Sequence, residues 1–134
     1  MLPANVISNQ IAYQRGINLL SASDECLLEV YILTLQTILD TILQVDLQSL
    51  PAKSLTELKE GLRETIQFFF EIRSRDLGSR FPMRDIIATI SEAYTALLNA
   101  ASILERGRKT RTYYKEIQNC RDRIFDTIEL LRAF

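Results

Sequence analysis

Residues 24–47 read DECLLEVYILTLQTILDTILQVDL, and this stretch decides the fold class. Its apolar side chains recur every three or four residues, which is the spacing of one face of an α-helix. That seam consists of Leu28, Tyr31, Leu35, Ile38, Ile42 and Val45. Because further apolar residues widen the seam, the pattern predicts a helix that lies centrally and contacts several neighbours.

The segment before this stretch predicts a weaker helix over residues 4–20. Pro3 suits a first helical turn, but the apolar residues form only two partial stripes and Gly16 weakens the end. The step Ser21-Ala22-Ser23 then supplies a helix N-cap, and Asp24 and Glu25 carry charges that favour a helix N-terminus. Pro51 marks the end of the central helix.

Three further helices follow. Ser54-Leu55-Thr56-Glu57 matches the Ser-x-x-Glu capping box and predicts the start of the next helix. Pro82 predicts the opening of another, which Gly107 ends, and whose core face has a spacing close to a heptad. That face consists of Met83, Ile87, Ile90, Tyr94, Leu97, Ala101 and Leu104, with flanking alanines that would permit close helix approach.

The last helix is predicted from about Thr112 to Phe134, with a core stripe at helical spacing. The stripe consists of Tyr113, Ile117, Cys120, Ile124, Ile128 and Leu131. Connections of roughly three to eight residues usually join antiparallel neighbours. The sequence therefore predicts an all-α fold, an up-down antiparallel bundle of four long helices plus a weaker N-terminal helix, in a single domain over 1–134.

The residues that are missing exclude several kinds of chemistry. The chain of 134 residues contains no histidine and only two cysteines, Cys26 and Cys120. Imidazole-based zinc sites and histidine-activated nucleophiles are therefore excluded, and the cysteines are too few for a disulfide framework. Paired acids such as Glu25 and Glu29 have the spacing of a Mg²⁺ site, but a matching pair on a following helix is missing. We expect no catalytic residue, no metal and no cofactor.

The net charge of −1 provides no global attraction to nucleic acid or to an anionic membrane. Residues 1–52 nevertheless carry five acidic side chains and one basic one, and residues 53–134 carry 12 acidic and 15 basic ones. Val30 to Leu39, the longest charge-free apolar stretch, is too short to span a bilayer, and the N-terminus lacks the pattern of a signal peptide. These features predict a cytoplasmic protein without a membrane span.

Excess apolar residues predict a protein–protein interface. The three rings of Phe68-Phe69-Phe70 span about 200° of a helix, so they cannot all point the same way. Either the helix is buried on two sides or one ring is offered to a partner. The interface candidates are Phe68, Phe70, Leu130 and Phe134.

A basic segment is the second candidate site. Arg106, Arg108, Lys109, Arg111 and Lys115 occur within ten residues that contain no acid, and Tyr113 and Tyr114 lie among them. Cations with stackable rings are what a weak RNA or DNA site would use. The same cations would also complement the end of the preceding helix without binding any ligand.

We therefore expect a non-catalytic helical bundle that acts through protein–protein contact, as a homo-oligomer, a scaffold or a regulatory subunit. The first alternative is polyanion binding through residues 106–115. The second is a small all-α enzyme of unrecognised type. The sequence does not identify the partner.

Overall fold

The computed structural model describes residues 23–107 and 110–133. These residues form four α-helices and no strand: α1 (Asp24–Gln44), α2 (Ala52–Ile72), α3 (Met83–Glu105) and α4 (Arg111–Arg132). Short 3₁₀ turns, Leu47–Ser49 and Gly78–Arg80, lie in the first two connections. The predicted N-terminal helix over residues 4–20 lies outside the described residues.

The helices pack as an antiparallel bundle, as predicted. Each helix contacts the next one along the chain, and α4 closes the ring by packing on α1. Contacts between the ends fix the directions. Arg75 and Arg80, which follow α2, pair with Asp24 and Glu25 at the start of α1, at N–O distances of 2.9 and 3.3 Å.

The helix ends follow from local chemistry. Ser23 caps α1, since its Oγ accepts the Cys26 N–H at 3.2 Å, and Thr110 caps α4 by accepting the Tyr113 N–H at 3.2 Å. Gly107 ends α3 with a φ of 97°, a conformation that glycine adopts without strain.

The predicted capping box at Ser54 is wrong. Helix α2 begins two residues earlier, at Ala52, with Pro51 in the cap position and no side-chain cap bond. Ser54 is therefore already inside the first turn, where it is buried. Because Ser54 is buried against the core, tertiary packing rather than the local cap motif accounts for this boundary.

The core follows the predicted stripes most closely in α4, where all six predicted stripe residues are buried. In α1, Leu35, Ile38 and Ile42 are also almost completely buried, and Tyr31 and Val45 are half-buried. Five buried threonine hydroxyls donate to the carbonyl oxygen four residues earlier, so their burial leaves no unpaired donor. These residues are Thr34, Thr37, Thr41, Thr65 and Thr127.

The buried face of α3 is rotated relative to the prediction. Ile86 is completely buried instead of Ile87, and Ala93 instead of Tyr94. The rotation turns small residues towards α4, and α3 and α4 form the most extensive helix pair of the bundle. Alanine side chains allow two helix backbones to approach closely, so close packing outweighs the larger apolar area of the predicted face.

Candidate functional site

The phenylalanine triplet divides between core and surface. Phe69 is completely buried, and Phe68 is only 4% exposed, with its ring stacked on Tyr31 at a centroid distance of 4.6 Å. Phe68 is therefore a core residue, and its prediction as an interface residue is corrected. Phe70 is 45% exposed, and the guanidinium of Arg73 lies 5.0 Å from its ring centroid.

The other predicted interface residues do not join Phe70 in one surface. Leu130 is half-buried and packs against the core, and Phe134 lies outside the described residues. Phe70 belongs to α2 and Leu130 to α4, which are not neighbours in the ring of helices. Among the predicted interface residues that the structure describes, only Phe70 is exposed to solvent.

The basic segment lies at one end of the bundle. Arg106, Arg111 and Lys115 are exposed, and Arg108 and Lys109 lie outside the described residues. A further group of basic residues, Arg73, Arg75, Arg80 and Arg84, lies around the connection between α2 and α3. This group is at the other end of α3, about 34 Å away along its 23 residues. Because Arg75 and Arg80 also pair with acids, the two groups form no continuous basic groove.

Among the residues that the structure describes, the most exposed large apolar side chains lie elsewhere. Leu43, Tyr114 and Phe125 are 54%, 58% and 54% exposed, and we call them the apolar edge. Leu43 and Tyr114 line an open groove of about 210 Å³ between the end of α1 and the start of α4. Phe125 follows Tyr114 by eleven residues, which is about three helical turns, so both rings lie along the same side of α4.

Sequence reasoning overlooked the apolar edge, although a signal was available. Tyr114 and Phe125 each follow a core residue of the α4 stripe by one position. At 100° per residue this places them outside the buried stripe. Leu43 gave no such signal. It is one of the further apolar residues that widen the apolar stripe of residues 24–47, and that stripe was predicted to be buried.

Polar contacts fix the groove beside the apolar edge. An Arg121 Nη donates to the Ile42 carbonyl at 3.1 Å, and the Tyr113 hydroxyl donates to Asp46 at 3.4 Å. Burial, and then the negative charge of Asp46, raise the pKa of Tyr113 to about 12. Tyr113 therefore stays protonated at neutral pH and serves as a hydrogen-bond donor between α4 and the chain that follows α1.

A second, polar groove of about 370 Å³ lies between α3 and α4. Arg123 crosses it, with one nitrogen 2.8 Å from Glu92 of α3 and another 3.5 Å from Asp126 of α4. Ser91 and Thr95 line the same groove. These contacts tie the helix pair together, and the hydroxyls have no histidine to activate them.

Neither cysteine is in a disulfide. Cys26 is exposed at the start of α1, and Cys120 is completely buried, where desolvation raises the pKa of its thiol to about 12. Within the described part of the chain, no group of three or more Cys, Asp or Glu side chains could hold a metal ion.

Two helices are long and apolar enough to cross a membrane by length and composition. Helix α1 contains a window with a mean hydropathy of 1.6 that is 50% buried in the bundle, and α3 has a window at 1.3 that is 39% buried. Core helices of helical bundles meet the same criterion. The predicted lack of a membrane span and the predicted cytoplasmic location both remain predictions.

Comparison with known proteins gives no match to a family model, a curated protein or a solved structure.

Proposed function

We propose that this chain is a non-catalytic helical bundle that works through protein–protein contact, with the apolar edge as its contact surface. The proposal rests on the apolar side chains of Leu43, Tyr114 and Phe125, each of which is more than half exposed. Leu43 and Tyr114 share one groove, and Phe125 lies about 16 Å further along the same side of α4. Exposed apolar side chains arranged along one side of a helix are typical of interaction surfaces, and tyrosine and phenylalanine are enriched there.

The neighbourhood of the apolar edge supports a rigid contact surface. Tyr114 stands edge-on to the buried Tyr113, with ring centroids 5.1 Å apart. Arg121 joins α4 to the end of α1 beneath the groove. A surface that is already ordered loses little conformational entropy on binding, which favours affinity.

Site-specific photo-crosslinking tests this proposal. A benzophenone amino acid is placed at position 125, and in a control chain at position 98, where Leu98 of α3 is 38% exposed. Both chains are expressed in the organism's own cells and irradiated. We expect a protein adduct from position 125 and none from position 98. Equal adducts at both positions, or none at 125, would contradict the proposal.

A further inference from the structure

The outward surface of α4 has two distinct edges. Tyr114 and Phe125 lie on the edge towards α1, because they flank Arg121, which bonds to α1. Lys115 and Asp126 lie about 100° further round the helix, on the opposite edge. All four side chains are exposed. We call the surface between and including these edges, over residues 111–129, the outer face of α4.

Charge is segregated along this outer face. Arg111 and Lys115 lie in its first half, and Asp122, Asp126 and Glu129 lie in its second half. All five are exposed. A helix with opposite charges at its two ends is complementary to a copy of itself that runs in the opposite direction.

The charges at the two ends of the face oppose what an isolated helix favours. Arg111 is the first residue of α4, whose first turn has no acidic residue, and Glu129 lies in the last turn together with the basic Arg132. A cation at a helix N-terminus and an anion near its C-terminus both interact unfavourably with the helix dipole. Pairing with opposite charges on another surface would compensate for this cost.

We propose that the partner of the apolar edge is a second copy of this chain, whose α4 packs antiparallel on the outer face of α4. This inference rests on the proposed function and names its partner. A twofold axis perpendicular to both helices brings like edges together. Tyr114 then packs on Phe125 of the partner subunit, and Lys115 lies beside Asp126 of the partner subunit.

The register of this pairing is consistent along the whole face. The axis would form three pairs between the subunits: Tyr114 with Phe125, Lys115 with Asp126, and Arg111 with Glu129. Each pair is centred within one residue of Cys120. One axis position therefore satisfies the aromatic pair and both charge pairs, which is what an isologous interface requires.

The centre of the face is polar and also self-complementary. Gln118 donates to Asp122 of the same chain at 2.9 Å. The same axis places Gln118 opposite Asp122 of the partner subunit. The amide carries two N–H donors and the carboxylate accepts several bonds, so both contacts can exist together.

A charge-reversal experiment tests the proposal. The wild-type chain is measured by sedimentation equilibrium beside two variants: Arg111→Glu with Lys115→Glu, and Asp126→Lys with Glu129→Lys. Both variants place charges that the helix dipole favours. Asp126→Lys removes the longer of the two Arg123 ion pairs, and the shorter one, to Glu92 at 2.8 Å, is kept. We therefore expect α4 to stay folded, which circular dichroism checks. We expect the wild type at twice the chain mass of 15.4 kDa, and each variant alone to dimerise about tenfold or more weakly.

Mixing the two variants is the decisive step. An equimolar mixture restores opposite charges at every pair and is expected to form a heterodimer of wild-type affinity. A matched control, Lys53→Glu with Arg84→Glu, reverses two exposed charges on other helices and should dimerise like the wild type.

Other outcomes overturn the proposal. A wild-type chain that stays monomeric at about 0.5 mM would exclude the second copy, since a specific dimer at millimolar Kd is already marginal. A dimer unaffected by either double variant, or a mixture that does not associate, would exclude this register. If position 125 then crosslinks to a different protein in cells, protein contact through the apolar edge stands and only the identity of the partner is wrong.

Discussion

Burial controls the proton affinity of two α4 residues, Tyr113 and Cys120. Desolvation raises the pKa of Cys120 from its ordinary value of 9.0, and that of Tyr113 from 10.0, to about 12 in each case. In both residues the protonated form is neutral, so burial favours keeping the proton. At neutral pH both groups keep their protons, and their ionisation affects stability only in alkali.

The free energy of unfolding should therefore fall as the pH rises from 9 towards 12. Above pH 9 the unfolded chain releases the Cys120 proton, whereas the folded chain keeps it. Each unit of pH therefore lowers the free energy of unfolding by up to about 1.4 kcal/mol per group. Urea titrations between pH 7 and 11 measure this. Cys120→Val should reduce the decline, and Cys26→Ser, at the exposed cysteine, should leave it unchanged. An equal effect of both variants would contradict the burial explanation.

Arg121 illustrates two opposing effects at one residue. One of its Nη atoms bonds to the Ile42 carbonyl near the end of α1, a helix with no basic residue in its own last turn. A cation at this position interacts favourably with the helix dipole. Against this, the Nε atom of Arg121 is buried with no partner among the described residues, which costs about 1–3 kcal/mol.

We expect Arg121→Met to destabilise the bundle by about 1 kcal/mol, because the charged hydrogen bond and the dipole interaction together exceed the gain from removing the unpaired Nε. Arg121→Lys keeps the charge and removes that N–H, so it should cost less. Thermal unfolding of both variants at low salt measures the difference. Equal losses for Met and Lys would show that the charge contributes nothing.

Two glycines end or connect helices for different reasons. A Cβ on Gly78 would lie 1.9 Å from the Ile72 carbonyl oxygen, so the turn after α2 packs directly against the end of that helix. A Cβ on Gly107 would meet no atom within 4 Å, but this residue has a φ of 97°. Space restricts the first position, and backbone conformation restricts the second.

Alanine should therefore be more costly at Gly78 than at Gly107. Gly78→Ala forces two backbone segments apart, which should cost about 2–3 kcal/mol. Gly107→Ala places a side chain in the left-handed region and should cost about 1–2 kcal/mol. Chemical denaturation of both variants checks the order. A reversed order would mean that the turn after α2 moves easily.

The elements that the sequence predicted well are those with one strong signal. In α4, all six residues of the predicted stripe are buried, because its apolar residues define only one possible core face; Thr127 is the one further buried residue. In α3, two faces could have been buried, one with larger apolar side chains and one with more alanines. Which of them is buried depends on how closely α4 can approach. At Ser54, a cap motif competed with Pro51, and both boundaries were locally reasonable. Such competitions are decided by tertiary packing, which local spacing does not contain.

The sequence predicted the kind of candidate site but not the residues that form it. An exposed aromatic surface was expected, but it was assigned to Phe68 and Phe70 because three adjacent rings stand out in the sequence. Whether a ring is exposed depends on which side of its helix the neighbours cover. Phe68 is covered by Tyr31, whereas Phe125 is more than half exposed among the described residues.

In the whole molecule, the uneven distribution of charge between the two halves of the sequence is found within individual helices. Helix α1 carries four acidic residues and no basic one, whereas the outer face of α4 contains both signs in separate halves. The pattern that could direct association therefore lies within one helix rather than between the two halves of the chain. We therefore propose that the molecule associates through α4.

Hydroxyl-radical footprinting measures whether α4 is covered by a partner, because it labels aromatic rings in proportion to their exposure. The dilute purified chain is compared with the same chain inside its own cells. We expect labelling of Tyr114 and Phe125 to fall several-fold in cells, with Phe70, which is 45% exposed on another helix, as the internal control that stays unchanged. Unchanged labelling of Tyr114 and Phe125, or an equal fall at Phe70, would contradict contact through the outer face of α4.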